Sequence, residues 1–396
     1  MTLINFLTRV HFADNVLEDA LHSEMERHSK RRPFVVAEDA HVRGPIAERF
    51  FSSFPIRTRA QTFSAVTTRA TETAAREIAE RYRTSDCDVL IAFGSNRAMD
   101  LAKVARVAIA YDEPIAALSR EEGGAQRITP VLPDLYSVPG ILGFASAITD
   151  YTRVKLDTGG QVMLSSPHLI PTVTICDPSL AIGSSRAESA IAAAGVLARG
   201  IDGFLAPAYN PPADALALDA LGRVAANVHR VLRDDDLGCR REMMAAGLNS
   251  SLALQKGLCA VHAISNAVAA VSRAPIDPSA LGGILIPELA RTYAARSEMR
   301  LEAVSRSLGL PDGQPLWLGL QRLMDRLPLV RTLDAFGIAA DDLPAAAELA
   351  ARDRALGNAP VPLRRDAVLD ILNTVHGSDL QHARRNGVRP EQNAIQ

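Results

Sequence analysis

The chain has 396 residues and a formal net charge of −2, and this length is enough for two domains with sizeable cores. The near balance of charge excludes a strong field toward nucleic acid or a membrane surface. The start MTLINFLTRVHF lacks a signal-peptide pattern, and no apolar run reaches the roughly 18 residues of a membrane span. The four cysteines have no CxxC spacing and are interpreted as reduced, buried thiols. We therefore expect a cytoplasmic protein without a nucleic-acid or membrane partner.

Strand-like and helix-like patterns alternate through about the first 180 residues. Strands spaced by helices indicate βαβ units and a parallel sheet. In chain order the patterns predict a strand at 33–37, a helix at 71–83, a strand at 88–93, a helix at 96–108, a short apolar run at 115–118, two strands within 150–165 that turn at Gly159 and Gly160, and a last strand at 173–178.

The second half of the chain is rich in alanine and leucine with a helical period. Predicted helices follow at 186–205, 213–232, 240–272, 280–307, 314–326, 343–355 and 364–376. We predict an α/β nucleotide-binding-type domain over 1–181 and an all-helical domain over 182–377. The tail at 378–396 has few apolar residues and is expected to be mobile.

Residues 93–103 (FGSNRAMDLAK) carry the most informative motif. An apolar strand passes through Gly94 into a helix-forming sequence, and this geometry presents backbone N–H groups and a helix dipole to a phosphate. The motif is short and weak by itself, so its neighbours in the sequence decide its meaning.

Those neighbours resemble the iron-containing alcohol dehydrogenase superfamily, nearest the maleylacetate reductase branch. The resemblance covers nearly the whole chain and implies a Rossmann-like (dehydroquinate-synthase-like) α/β domain followed by a helical one. The matching segments are RVHFA at 9–13, the motif at 94–103, SPHLIP at 166–171 with Asp177 and Pro178, QKGLCAVHAI at 255–264, and the closing stretch from Asn358 to Gly377.

The family's metal site matches this sequence at one position out of four. The family binds its divalent ion with one Asp and three His, and by the resemblance these positions fall on Gly195, Arg199, His262 and the stretch Ile276–Pro278. One imidazole cannot hold a catalytic metal that needs three or more protein ligands. We therefore predict no metal. A relocated site that uses Asp202 or Asp277 is the alternative.

The resemblance also implies a nicotinamide dinucleotide site, with departures. Ser95 and Asn96 replace two glycines of the family's motif, and Arg97 replaces its serine. Arginine either binds a phosphate or fills the phosphate site. Asp100 and Lys103 match the helical end of the motif, although a solvated i,i+3 pair explains them equally well.

Two further segments belong to this expected cofactor site. In the loop at 139–149, Gly140, Ile141 and Phe144 replace hydroxyl residues of the family pattern, whereas Ser146 and Thr149 match it. Glu38 or Asp39, just after the first predicted strand, is placed to accept the adenosine ribose hydroxyls, which would favour NAD over NADP. A solvated loop acid is the alternative. The site residues expected to bind NAD(H) or NADP(H), with weakened affinity, are thus Glu38, Asp39, Gly94, Ser95, Asn96, Arg97, Asp100, Lys103, Ser146 and Thr149.

The resemblance implies a metal-independent NAD(P)H-dependent reductase of a small, anionic oxo acid or carbonyl compound, acting between the domains of a homodimer. Arg199 would stabilise the developing alkoxide and His262 would donate the proton. The structural alternatives are a salt bridge from Arg199 to Asp202 or Glu188 and a core histidine at 262. The competing functions are a non-redox enzyme (lyase, decarboxylase or cyclase) and a pseudoenzyme on the same scaffold. Nucleotide binding would separate the first function from the others.

Overall fold

The computed structural model describes residues 8–234, 236–274, 276–294 and 298–377. The tail expected to be mobile therefore lies outside the described residues. The chain groups into two compact units: the first runs up to Ala193 and adds Ala226–Leu252, and the second comprises Ala194–Ala225 and the described residues from Ala253 on. The domain boundary after residue 181 stays a prediction.

A parallel sheet forms the core of the first unit. Its six strands lie in the order β1-β8-β5-β4-β2-β3 and every neighbouring pair is parallel, while β6 and β7 form a separate antiparallel hairpin. The central strands β2 and β4 are buried on both faces, as expected of continuous apolar runs in a parallel sheet. The strands are β1 Arg9–Phe12, β2 Pro33–Ala37, β3 Gln61–Phe63, β4 Val89–Gly94, β5 Leu135–Pro139, β6 Tyr151–Lys155, β7 Gln161–Ser165 and β8 Val173–Cys176.

Helices connect the strands and make up the rest of the described chain. They are α1 Leu17–Arg27, α2 Pro45–Ser52, α3 Glu72–Thr84, α4 Asn96–Ala110, α5 Gly124–Arg127, α6 Arg186–Leu205, α7 Pro211–Arg233, α8 Leu237–Leu252, α9 Ala260–Val271, α10 Pro278–Tyr293, α11 Glu298–Ser307, α12 Leu316–Asp325, α13 Leu343–Arg352 and α14 Arg365–His376. This confirms the predicted fold class, an α/β part followed by a helical part. No helix in the described ranges has the length and apolar character needed to cross a membrane.

Three sequence expectations need correction. The apolar run at 115–118 is a short 3-10 helix, and β1, β3 and β5 were not predicted as strands. The predicted helix at 240–272 is two helices, because the chain breaks at Gly257, whose φ of +107° is left-handed. The predicted helix at 280–307 is also two helices, α10 and α11. All four cysteines are free; three are buried and Cys87 is half-buried.

Candidate active site

Three neighbouring strands of the first unit end at one edge of the sheet. At this edge Ala37 of β2 pairs with Phe93 of β4, and Gly94, the next residue of β4, pairs with Pro139 of β5. Because parallel strands share one carboxyl edge, Glu38, Ser95 and Gly140, each just beyond a strand, lie together there. This edge is the usual ligand-binding edge of an open α/β sheet.

The Glu38 side chain turns onto the N-terminus of α4. The backbone N–H of Ser95 donates to Glu38 Oε2 at 3.3 Å, and the Ser95 hydroxyl donates to Oε1. Burial alone would raise the pKa of Glu38, but the neighbouring His41 imidazole and the hydrogen bonds from Ser95 outweigh burial and lower the pKa below its ordinary value. Glu38 is therefore an anion at a helix N-terminus, where the helix dipole favours negative charge.

His41 lies beside this carboxylate and was missed by the sequence analysis. Its Nδ1 is 3.3 Å from Glu38 Oε2, and its ring packs edge-on against Phe93 with the centroids 5.5 Å apart. A Cβ added at Gly94 would come within 3.0 Å of Nδ1, and one added at Gly140 within 3.0 Å of Nε2. The imidazole therefore packs closely against both glycines, and a side chain at either position would force the ring to shift. Its i,i+3 spacing from Glu38 is the sequence signal that could have found this pair.

Two other predicted cofactor residues lie near the same helix end. Asp39 is exposed, and its Oδ1 forms an ion pair with Nη2 of Arg43 at 3.0 Å. Both side chains of this pair are solvent-exposed. Arg97 is half-buried, and its backbone N–H donates to Ser95 Oγ at 3.2 Å. Ser95 is therefore the N-cap of α4.

The Asn96 side chain joins the start of α4 to the loop at 139–149. Its Oδ1 accepts the backbone N–H groups of Ala145 at 2.7 Å and Ser146 at 3.0 Å. Phe144 is fully buried, and a Cβ at Gly247 of α8 would lie 3.6 Å from its ring. The Phe144 ring thus packs inside the first unit.

Lys103 and Thr149 are brought together by hydrogen bonds. The fully buried Lys103 ammonium donates to Thr149 O at 2.6 Å, to Thr149 Oγ1 at 3.0 Å and to Tyr151 O at 3.1 Å. Asp100 accepts from the Thr152 hydroxyl at 3.2 Å. The alternative of a solvated Asp/Lys pair is wrong, because Lys103 has no exposed surface and its burial lowers its pKa to about 8. An ammonium has three protons, so these bonds use them all.

In the second unit, Arg199 lies over Gly195. A Cβ added at Gly195 would be 3.3 Å from Arg199 Nη1 and 3.5 Å from the Cβ of Ser279 in α10. Helical side chains lean toward the N-terminus, which carries Arg199 back over the preceding turn. The guanidinium therefore lies where the side chain of residue 195 would begin, at the position that the resemblance gives to the metal-binding Asp.

Asp202, one turn after Arg199, joins α6 to the start of α9. It is 3% exposed, and its Oδ2 accepts the backbone N–H of Val261 at 2.8 Å, whereas its Oδ1 has no hydrogen-bond partner. Burial raises its pKa to about 7. His262 is the next residue after Val261, half-buried in the first turn of α9. The Asp202 bond thus holds together the helices that carry Arg199 and His262.

These contacts test the structural alternatives for Arg199. The proposed salt bridge with Asp202 is wrong, because that carboxylate bonds only to the α9 backbone. Glu188 closes a capping box with Ser185 at the start of α6, with its Oε2 accepting the Ser185 N–H at 2.8 Å. That Arg199 and His262 face each other stays a prediction.

The residues at the family's metal positions do not fit a divalent ion. Gly195, Ile276 and Pro278 have no ligating side-chain atom, and Arg199 brings a permanent positive charge. For the relocated site, Asp277 is the N-cap of α10 and accepts the Ser279 N–H at 2.9 Å. Within the described parts of the chain, no group of three His, Cys, Asp or Glu side chains is close enough together to hold a metal.

Comparison with known proteins identifies the family. Residues 8–178 match the family described as iron-containing alcohol dehydrogenase, and residues 190–376 match the C-terminal part of the Fe-containing alcohol dehydrogenase family. The chain belongs to the iron-containing alcohol dehydrogenase family, a class of oxidoreductases. It is 31% identical over 349 residues to a 4-hydroxybutyrate dehydrogenase of Cupriavidus necator, covering 86% of this chain and 91% of that protein.

Solved structures show the same fold. The sulfoacetaldehyde reductase of Bifidobacterium kashiwanohense, solved in complex with NAD+, superposes with a TM-score of 0.86 at 19% identity and covers 96% of this chain and 100% of that one. The maleylacetate reductase of Agrobacterium tumefaciens superposes with a TM-score of 0.76 at 20% identity, covering 95% and 99%. The branch named by the sequence resemblance is thus among the structures that share this fold.

Proposed function

We propose that the chain is a metal-independent, NAD(P)H-dependent reductase of a small carbonyl compound that carries an acidic group. Membership of the family supports the reaction type. The sequence relative acts, by its name, on 4-hydroxybutyrate, which is a hydroxy acid. This supports an oxo acid such as 4-oxobutanoate as the substrate class.

The observation that carries this proposal is the position of the Arg199 guanidinium over Gly195. A fixed positive charge there replaces the electrostatic role of a metal ion, because it stabilises the oxyanion that develops on a reduced carbonyl. His262, on the neighbouring helix, is the candidate proton donor, since imidazole titrates near neutral pH. NAD(P)H, when bound, supplies the hydride. The start of α4, with Ser95 and Asn96, is the part of the first unit that would hold its diphosphate.

One observation favours the non-redox alternative. The N–H groups of Ser95, Ala145 and Ser146 already bond to the side chains of Glu38 and Asn96. A nucleotide diphosphate would need some of these donors. A scaffold that has lost hydride chemistry would satisfy them internally in this way.

The experiment is a reduction assay that follows NADH and NADPH consumption with short oxo acids, in the presence of a chelator. Arg199→Ala is expected to lower the rate about 10²–10³-fold, as is typical when one preorganised charge donor is lost. Arg199→Lys should restore little, because a point charge does not reproduce a planar fork.

Arg300→Ala is the matched control in the same unit. Arg300 pairs with Asp214 at 3.1 Å and stacks over Phe204, so its loss removes a structural ion pair of the second unit. It should lower stability and leave the rate per folded molecule unchanged. An Arg199→Ala variant that keeps its rate, or that loses rate only as it unfolds, would show that Arg199 is structural. Oxo-acid turnover without any nucleotide would favour the non-redox alternative.

A further inference from the structure

The chain enters α9 through a turn at 256–259, and His262 lies in the first turn of that helix. Gly257 in this turn has a φ of +107°, a conformation that L side chains rarely adopt. The direction in which α9 leaves the turn therefore depends on the groups that fix the backbone around Gly257. Those groups come from distant segments of the second unit.

Asn358 holds one side of this turn. It is half-buried at the end of the short 3-10 helix Arg354–Asn358, and its Nδ2 donates to Leu258 O at 2.8 Å. A Cβ added at Gly257 would come within 2.6 Å of the same nitrogen. The Asn358 amide therefore reaches the Leu258 carbonyl across the bare backbone of Gly257, and a side chain at residue 257 would displace it.

Asp202 of α6 holds the other side of the turn. Cys259 is the N-cap residue of α9, and its thiol donates to the backbone oxygen of Asp202 at 3.4 Å. The carboxylate of the same aspartate accepts the Val261 N–H at 2.8 Å. The first N–H groups of a helix have no acceptor within the helix, so an acceptor from another element fixes the direction of the first turn. Backbone and side chain of one α6 residue thus bond to the start of α9.

We propose that Asn358 and Asp202 are positioning residues for the reduction, and that they act by fixing the first turn of α9 and with it His262. This inference rests on the proposed function, in which His262 donates the proton. A proton donor has to lie within hydrogen-bond reach of the atom that it protonates. Misplacement of a reacting group by about 1 Å lowers a rate by up to about 10²-fold. The residues that fix His262 therefore affect the rate through it.

Lys256 anchors the same turn on the side of α8. Its ammonium group is fully buried, and it donates to Phe204 O at 2.8 Å and to Asp214 Oδ1 at 2.6 Å. These bonds hold the residue before Gly257 independently of the two positioning residues. Loss of either positioning residue is therefore expected to loosen the start of α9 and to leave the rest of the second unit in place.

The test compares full-chain variants that keep or remove one hydrogen bond, in the reduction assay with NADH or NADPH and short oxo acids. Asn358→Ala removes the donor and is expected to lower kcat about tenfold or more, with KM unchanged within about twofold. Asp202→Ala, which removes the acceptor of the Val261 N–H, should have the same effect. Asp202→Asn keeps a carbonyl acceptor and should retain most of the parent's kcat. Ser272→Ala is the matched control, because it removes a 2.6 Å bond to Ala274 O at the other end of α9 and should leave kcat unchanged.

Two further measurements separate positioning from a purely structural role. Hydrogen–deuterium exchange should become faster in Asn358→Ala over residues 258–264, while α11 and α12 exchange as in the parent. In a His262→Ala background, Asn358→Ala should lower the residual kcat no further, because its effect passes through the histidine.

The outcomes separate this inference from the proposed function. Faster exchange at 258–264 with an unchanged kcat in Asn358→Ala would overturn the inference and leave the reductase in place. An equal loss of kcat with and without His262 would also overturn it, because Asn358 would then act elsewhere. If Asn358→Ala does not fold, or if His262→Ala has no measurable turnover, the two Asp202 variants decide, and equal kcat values for them would refute the inference. A parent that reduces no oxo acid would overturn the proposed function, and the inference would fall with it.

Discussion

Replacing Asp202 by asparagine should stabilise the protein at neutral and alkaline pH. Asp202 is buried, one of its carboxylate oxygens has no hydrogen-bond partner, and the other accepts a single backbone N–H. Burial of a charged group in this way costs free energy unless the group is fully paired. Asparagine keeps the shape and the carbonyl acceptor for Val261 but removes the charge.

The magnitude follows from the pKa of Asp202, which burial raises from 3.8 to about 7. One pKa unit corresponds to 1.36 kcal/mol, so the buried carboxylate costs on the order of 4 kcal/mol once it is ionised in both states. Because the pKa of this acid is higher in the native than in the unfolded protein, its contribution makes the free energy of unfolding fall as pH rises. The stability of the native protein is highest below the unfolded-state pKa, falls as pH rises from about 4 to about 7, and then stays at the lower level. Loss of the charge–dipole attraction at the start of α9 offsets up to about 1 kcal/mol of the gain from asparagine.

The measurement is urea unfolding of the parent and Asp202→Asn between pH 5 and pH 8.5. The single tryptophan, Trp317 in α12, reports on the second unit, which contains Asp202. The free energy of unfolding of the variant should exceed that of the parent most above pH 7. Between pH 5 and pH 7 the free energy of unfolding should fall less steeply with pH in the variant than in the parent. Asp334→Asn is the control with a pKa shift of opposite sign, because the Thr332 hydroxyl lowers the pKa of this exposed carboxylate. Its replacement by asparagine should not raise the free energy of unfolding. A less stable Asp202→Asn variant with an unchanged slope would mean that the carboxylate has a compensating partner, and the reasoning would fail.

Two further predictions concern the metal and Lys103. The purified protein should carry no stoichiometric iron or zinc, because Gly195, Arg199 and the stretch Ile276–Pro278 occupy three of the four family ligand positions. Elemental analysis that finds close to one ion per chain after mild chelation would contradict this. Lys103→Met should lower the free energy of unfolding by about 2–5 kcal/mol, because it removes the buried ammonium that donates to the carbonyl groups of Thr149 and Tyr151. Urea unfolding measures this, and a change below about 1 kcal/mol would show that the loop relaxes around the loss.

The sequence predicted the elements whose signal is local. The strand β4 and the helix α4 are an apolar run and a helical pattern separated by Gly94, so their positions could be assigned directly. The break between α8 and α9 was missed: Gly257 is a local signal for it, but the residue that packs against Gly257 lies far away in the sequence. Asn358 Nδ2 donates to Leu258 O at 2.8 Å, and a Cβ at Gly257 would come within 2.6 Å of the same amide. An alanine-rich stretch carries no trace of such a partner about 100 residues away.

The candidate site shows the same limit. The resemblance located the helix end, the loop at 139–149 and the ligand positions, but it treated every departure as a separate loss. The structure shows that two of these departures each lie against a long side chain. A Cβ added at Gly140 would be 3.0 Å from His41 Nε2, and a Cβ added at Gly195 would be 3.3 Å from Arg199 Nη1. In each pair a charged or ionisable group fills the volume that the family gives to a hydroxyl or a metal ligand. Restoring one family residue at 140 or 195 would therefore push its partner out of place, so a test of either position has to change both members of the pair.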